Sequence, residues 1–88
     1  MFSVKGFEVA IVGGSRGIGE ALVSGFIDAN AKVTVLDINT PTNCRDFDFI
    51  RCDLSIKESI NDALKEYYEK NKIMKVLINC AAVTIPGV

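Results

Sequence analysis

A cluster of four glycines within seven residues, in which Gly13, Gly17 and Gly19 have the spacing G-x-x-x-G-x-G, constrains most strongly what this chain can fold into. They follow the apolar run 9–12 and precede a segment whose apolar residues recur at helical spacing. The run predicts a buried strand, and the glycines allow the sharp turn by which such a strand enters a helix. Amide hydrogens at that helix N-terminus can bind a diphosphate. The alternative is a tight turn that binds nothing.

Asp37 closes a second apolar run, 32–36, and lies 18 residues after Gly19. At this position a carboxylate can accept hydrogen bonds from a ribose diol, so the two features together predict a dinucleotide site. The same carboxylate would repel a 2′-phosphate, which favours NAD over NADP. Arg16, a cation immediately before Gly17, stands against this preference, and we give Asp37 the greater weight. The alternative for Asp37 is a solvated residue at a strand end.

The period of the apolar pattern alternates along the chain between that of strands and that of helices. It predicts strands at 8–12, 32–37, 47–52 and 75–79 and helices at 17–30 and 55–70, with little helix in the polar connection 39–46. Crossovers of this length favour a parallel sheet in the order 3-2-1-4, an α/β fold of the Rossmann type with flanking helices.

Each helix has a predicted inward face. In the first helix it consists of Ile18, Leu22, Phe26 and Ala29, and in the second of Ile56, Ile60, Ala63, Leu64 and Tyr67. Ser55 and Glu58 have the spacing of a capping box at the start of the second helix.

Composition excludes several classes of function. The 88 residues suffice for one small domain or part of a larger one. The net charge of −1 is not gathered into a basic patch, so we expect no nucleic-acid partner. No apolar run approaches membrane-spanning length and no signal peptide is recognisable, so we expect no membrane partner and a cytoplasmic location.

The three cysteines, Cys44, Cys52 and Cys80, form no C-x-x-C pair, and the chain contains no histidine. We therefore expect reduced thiols and no metal site. Without histidine, catalysis by a Ser-His or Cys-His pair is excluded.

Three ordered motifs resemble those of the short-chain dehydrogenases/reductases. Residues 12–19 resemble the family's T-G-x-x-x-G-x-G loop, residues 52–54 its acidic dipeptide after strand 3, and residues 79–82 its N-N-A-G segment. Val12, Cys80 and Ala82 depart from those motifs. The resemblance covers nearly the whole chain but only the first third of a family member. It implies that residues 1–88 are the N-terminal part of an NAD(P)-binding domain of an oxidoreductase acting on an alcohol or ketone.

The resemblance also implies roles for individual residues. The diphosphate would lie against Gly13, Ser15, Arg16, Gly17, Ile18 and Gly19, and the adenine-side ribose against Asp37. Adenine would contact Asp53 and Leu54, and Asn79 and Ala81 would form the wall between the adenosine and nicotinamide ends.

No catalytic residue is assigned in this chain. Family members use a serine with a Y-x-x-x-K pair that follows the N-N-A-G segment, whereas Tyr68 and Lys72 have the spacing but precede Asn79. We interpret both as solvated residues at a helix end and expect no turnover by the 88 residues alone. A small-molecule substrate and homo-oligomers are compatible only with a full-length form. The alternatives are a non-catalytic nucleotide-binding module and, from another class, an S-adenosylmethionine-binding protein.

Overall fold

The computed structural model describes residues 3–15, 17–41, 46–70 and 72–80. These contain a four-stranded sheet and two helices. The elements in chain order are β1 (Glu8–Val12), α1 (Gly17–Asp28), β2 (Lys32–Asp37), β3 (Asp48–Arg51), α2 (Lys57–Glu69) and β4 (Val76–Asn79).

All strand pairs are parallel and the sheet order is β3-β2-β1-β4. The predicted α/β fold and strand order are therefore confirmed. The register places Val12 opposite Leu36 on one side and opposite Asn79 on the other. Because the strands are parallel, their carboxyl ends meet at one edge of the sheet, and the order reverses there between β1 and β4.

The central strand β1 is buried on both faces along Val9, Ala10 and Ile11, which explains why the run 9–12 is continuously apolar. Val9 and Ile11 pack on the α1 side with Val23, Val33 and Val35. On the α2 side, Ala10 packs with a second set of buried residues, Leu36, Ile50, Cys52, Ala63 and Tyr67.

The predicted inward face of α1 is confirmed at Leu22 and Phe26, which pack against the buried core, and is wrong at its two ends. Ile18 is 63% exposed and Ala29 is exposed, whereas the buried positions are Gly19 and Val23. The cause is contact at the start of the helix: the Gly19 position lies so close to the backbone of the preceding turn that it must face the sheet. Val23, one helical turn later, then faces the sheet as well, and Ile18 turns outward.

The capping box at the start of α2 is not formed. The N-cap residue is Ile56, which makes no side-chain cap hydrogen bond. The Ser55 hydroxyl donates instead to Asp53 Oδ1, at 2.6 Å. The inward face of α2 is confirmed at Ala63 and Tyr67, but Ile56 and Leu64 are exposed. Local hydrogen bonding to an aspartate has replaced capping here.

Lys72 is not the solvated residue predicted, although Tyr68 is 54% exposed as expected. The Lys72 side chain is only 12% exposed, forms an ion pair with Asp48 and donates to Thr34 Oγ1 at 2.8 Å. Asp48 is the first residue of β3, so these contacts lie at the amino ends of the strands.

Cys52 and Cys80 are buried and free, while Cys44 lies outside the described residues. Neither helix of the described chain is long and apolar enough to cross a bilayer. In the connection 38–47, the described residues contain no helix.

Candidate functional site

The glycine loop joins the carboxyl end of β1 to the first turn of α1. The Gly13 amide donates to the Leu36 carbonyl at 2.8 Å, which ties the loop to the end of β2. Gly13 has a φ of 81° and Gly17 a φ of 60°, a region that disfavours side chains. The chain can therefore reverse direction and expose the amides at the start of α1.

Gly19 is required for a different reason, which is close approach. A Cβ atom at this position would lie 2.1 Å from the Gly13 carbonyl oxygen and 2.8 Å from the Gly14 Cα. Only a residue without a side chain lets the helix start against its own loop. Gly14, which the sequence pattern did not single out, is buried, and a Cβ there would meet Ile11, Val23 and Val35 at 3.0–3.1 Å.

Asp37 is joined directly to the glycine loop. Its Oδ2 accepts a hydrogen bond from the Ser15 amide at 3.1 Å, and its Oδ1 accepts one from the Asn39 amide at 3.0 Å. The Ser15 hydroxyl donates to the Asn39 carbonyl at 2.7 Å. Each carboxylate oxygen keeps a further lone pair for a ligand. The strand end and the loop thus form one rigid unit.

The segment after β3 forms the opposite side of the site. Asp53 Oδ1 accepts hydrogen bonds from both the hydroxyl and the amide of Ser55, and these bonds hold the pKa of Asp53 below its usual range. Asp53 Oδ2 and the Leu54 amide have no hydrogen-bond partner within the described part of the chain. One acceptor and one donor therefore remain open on neighbouring residues.

A cavity of about 220 Å³ lies between these two sides. The ends of β1, β2 and β3 and the residues after them supply its walls. Its lining includes Gly13, Asp37, Ile38, Cys52, Asp53 and Leu54. Burial raises the pKa of the Cys52 thiol, so that side chain contributes a neutral surface. The cavity is largely apolar and has carboxylates at its edge, which suits a flat heteroaromatic ring with a polar rim.

Asn79 ends β4 beside Val12 and is exposed. The Cys80 amide, next in the chain, donates to the Val12 carbonyl at 2.8 Å. The structure thus brings the glycine loop, Asp37, Asp53, Leu54 and Asn79 to the same edge of the sheet. Arg16 and Ala81 lie outside the described residues.

Two residues of the site were not predicted from the sequence. Ser59 Oγ accepts a hydrogen bond from the Asp53 amide at 2.8 Å, and Asn39 contacts Asp37 and Ser15 through its backbone. Asn39 could have been found as a polar residue two positions after the strand-end aspartate. Ser59 was obscured because Ser55 and Glu58 had been assigned to the cap of the same helix.

Among the described residues, no group of three or more metal-binding side chains is present. The polar groups of the site are carboxylates and backbone amides, which suit an organic ligand with hydroxyl and phosphate groups.

A family model described as short chain dehydrogenase matches residues 8–88. The chain belongs to the short chain dehydrogenase family. Among curated proteins, a dehydrogenase/reductase of CLA biosynthesis from Lactiplantibacillus plantarum is 28% identical over 87 residues, which cover 88% of this chain and 30% of that protein.

Two solved structures illustrate the likeness of this chain to known members of the family and fold. A short chain dehydrogenase from Leptospira borgpetersenii with bound NAD+ is 30% identical, with a TM-score of 0.79 over 88% of this chain and 32% of that one. The NADPH-dependent 3-quinuclidinone reductase from Rhodotorula rubra is 24% identical, with a TM-score of 0.74 over 88% and 33%, and shows the fold alone. The chain therefore spans about a third of the length of these proteins.

Proposed function

We propose that residues 1–88 form the N-terminal part of an NAD(P)-binding domain, and that they bind the adenosine and diphosphate portions of NAD. The observation that carries the proposal is the contact of Asp37 with the Ser15 amide. It joins the carboxylate that would bind the ribose to a loop whose remaining amides suit a diphosphate. The NAD+ bound by the Leptospira protein supports the same cofactor class.

The residues present fit this cofactor. A Cβ at Gly17 would meet nothing within 4 Å, so the backbone at the start of α1 is open where a diphosphate would rest. The amides of Gly13 and Ser15 already donate to Leu36 and Asp37. The amides of Arg16, Gly17, Ile18 and Gly19 would therefore hold that group, with Gly13 and Ser15 shaping the loop around it. Asp37 would accept the hydroxyls of the adenine-side ribose.

Adenine suits the cavity between Asp37 and Asp53. Its exocyclic amine is a donor and its neighbouring ring nitrogen an acceptor, which complement the open Asp53 Oδ2 and the open Leu54 amide. Asn79 and Ala81 would separate this end from the nicotinamide. The nicotinamide ring, when bound, supplies hydride transfer, and we propose an alcohol or ketone as substrate of the whole protein.

We propose NAD rather than NADP because Asp37 would face the 2′-phosphate of NADP at short range. Two negative groups held together in a partly dehydrated site repel each other, whereas a diol gains hydrogen bonds from the same carboxylate. The Rhodotorula reductase depends on NADPH, but at 24% identity it shows the fold alone and carries no argument about which nucleotide this chain prefers.

The test is to titrate the 88-residue chain and its Asp37→Asn variant with NAD and with NADP. Isothermal titration calorimetry would measure the affinities, and amide chemical shifts would identify the backbone groups that respond. Hydrogen bonds to a charged group contribute about 1.5–3 kcal/mol, so NAD affinity should fall roughly tenfold to a hundredfold. NADP affinity should be unchanged or rise, because the repulsion is removed.

Asp62→Asn is the matched control. It makes the same chemical change at an exposed position of α2 and should leave both affinities unchanged. If the folded wild-type chain showed no shift of the Gly13–Gly19 amides with NAD, or if Asp37→Asn did not alter the preference between the two nucleotides, the proposal would be wrong.

A further inference from the structure

The hydroxyl of Ser59 lies where α2 meets the segment that follows β3. Ser59 is the third residue of α2 and half-buried. Its Oγ accepts a hydrogen bond from the Asp53 amide at 2.8 Å. The same hydroxyl bonds the Cys52 side chain and so lowers the pKa of that thiol, which partly offsets the larger opposite effect of burial. One side chain therefore holds both residues that follow β3.

These contacts determine which groups of the segment remain open. Ser59 satisfies the Asp53 amide and Ser55 satisfies Asp53 Oδ1, whereas Asp53 Oδ2 and the Leu54 amide are without a partner among the described residues. The Cys52 amide donates to the Asp37 carbonyl at 3.0 Å, which connects the same segment to the ribose side. Through Ser59, α2 therefore fixes the position of the segment that follows β3.

We infer that Ser59 is a positioning residue that makes the site selective for adenine over other purines. The inference rests on the proposed function, because it assumes that adenine occupies the cavity beside Asp53. Without the hydroxyl, the Asp53 amide would lose its acceptor and the segment could rotate to find another. The acceptor at Asp53 and the donor at Leu54 would then no longer be held at the spacing of the adenine edge.

The experiment compares adenosine 5′-monophosphate with inosine 5′-monophosphate. The two share ribose and phosphate, but inosine has an acceptor in place of the exocyclic amine and a donor at the neighbouring nitrogen. Calorimetric titrations of the 88-residue chain would measure both affinities in the wild type and in Ser59→Ala. Ser24→Ala, an exposed serine of α1, is the control.

We expect the wild type to prefer the adenine nucleotide by about tenfold or more, since two hydrogen bonds are reversed in the inosine nucleotide. Ser59→Ala should reduce the affinity for the adenine nucleotide about three- to tenfold and leave that for the inosine nucleotide nearly unchanged. Ser59→Thr retains the hydroxyl and should restore the preference, whereas Ser59→Val, which lacks it, should not. A merely structural effect would lower both affinities together.

Hydrogen exchange of the wild-type amides provides a test that does not depend on how well the variants fold. The Asp53 amide should exchange slowly and the Leu54 amide quickly, because only the first has a partner. Equal exchange of the two amides, or an unchanged preference in a folded Ser59→Ala, would overturn the role of Ser59 alone. A wild type that binds neither nucleotide would overturn the proposed function and this inference with it.

Discussion

The two ends of the parallel sheet use their charged residues in opposite ways. At the carboxyl ends, Asp37 and Asp53 accept hydrogen bonds from backbone amides and from Ser55, and neither forms an ion pair with a described residue. At the amino ends, Asp48 is paired with Lys72, which also holds Thr34.

The difference suits the carboxyl ends of the strands to ligand binding and the amino ends to stability. A carboxylate held by amides keeps its negative charge and some of its lone pairs, so it remains available to a ligand. A carboxylate paired with a lysine has its charge neutralised by the protein itself. The larger cavity, of about 600 Å³, lies at the amino ends among residues such as Lys32, Lys70 and Glu8, yet none of the predicted site residues line it. Cavity size alone would point to the end of the sheet opposite the candidate site.

The largest effect is expected from Gly19→Ala, which disrupts the glycine loop at the carboxyl ends of the strands. The added Cβ would overlap the Gly13 carbonyl oxygen, and neither backbone can move without breaking the turn. We expect a loss of about 3 kcal/mol or more in the free energy of unfolding, measured by urea denaturation.

Gly25→Ala in the same helix is the matched control for this change. A Cβ at Gly25 meets nothing within 4 Å, so the variant should gain about 0.5–1 kcal/mol from helix propensity. Similar losses in the two variants would show that close approach at Gly19 is not what the loop requires.

A smaller effect is expected from Lys72→Met, which disrupts the polar contacts at the amino ends of the strands. The variant removes the ion pair with Asp48 and leaves the buried Thr34 hydroxyl without its donor. We expect a loss of about 1–2 kcal/mol in the free energy of unfolding, with unchanged NAD affinity per folded molecule.

Lys70→Met is the control for Lys72→Met. Its ion pair with Glu66 is 3.7 Å long and well exposed, so its removal should change stability by less than about 0.5 kcal/mol. A fall in NAD affinity in folded Lys72→Met would show that the two ends of the sheet are not independent.

The smallest expected effect is the loss of folding stability in acid that comes from Asp48, at the amino ends of the strands. The Lys72 hydrogen bond and charge hold the pKa of Asp48 below its ordinary value of 3.8. Because the folded-state pKa is depressed, the ionised carboxylate stabilises the protein at pH values above its ordinary pKa. This contribution is lost as the pH falls through the folded-state pKa. Because the Asp48 side chain is 55% exposed, screening keeps the loss below about 1 kcal/mol.

Stability curves of the wild type and Lys72→Met between about pH 7 and pH 3 would measure this contribution. The wild type should lose more stability than the variant below about pH 4. The depressed pKa of Asp53 acts in both proteins and cancels from the difference. Parallel curves would show that Lys72 does not stabilise the ionised Asp48 carboxylate.

Most of the fold could be predicted because its elements have simple patterns. The continuous apolar run of β1 reflects burial on both faces, and the strand order follows from crossover lengths. The first helix was predicted with Leu22 correctly on its inward face, but Ile18 was placed there in error and Val23 was missed, since hydrophobicity cannot choose between adjacent apolar positions. The contact of Gly19 with its own loop makes that choice.

The candidate site was predicted in its main groups but not in how they are held. Asp37 and Asp53 were selected for their position after strands, whereas their partners Asn39 and Ser59 depend on how the loops turn. Lys72 was misassigned for a related reason. A lysine after a helix is usually solvated, and only the packing of that segment against β2 and β3 places it beside Thr34 and Asp48.

The sequence by itself determined the alternation of strands and helices, the glycine turn and the acidic residues at strand ends, because these depend on periodicity and on residues near one another in the chain. The tertiary structure alone decided which face of α1 is buried, which hydroxyl holds Asp53 and which carboxylate a lysine neutralises. Those outcomes depend on how separate segments pack against one another, at distances of a few ångströms that no local pattern specifies.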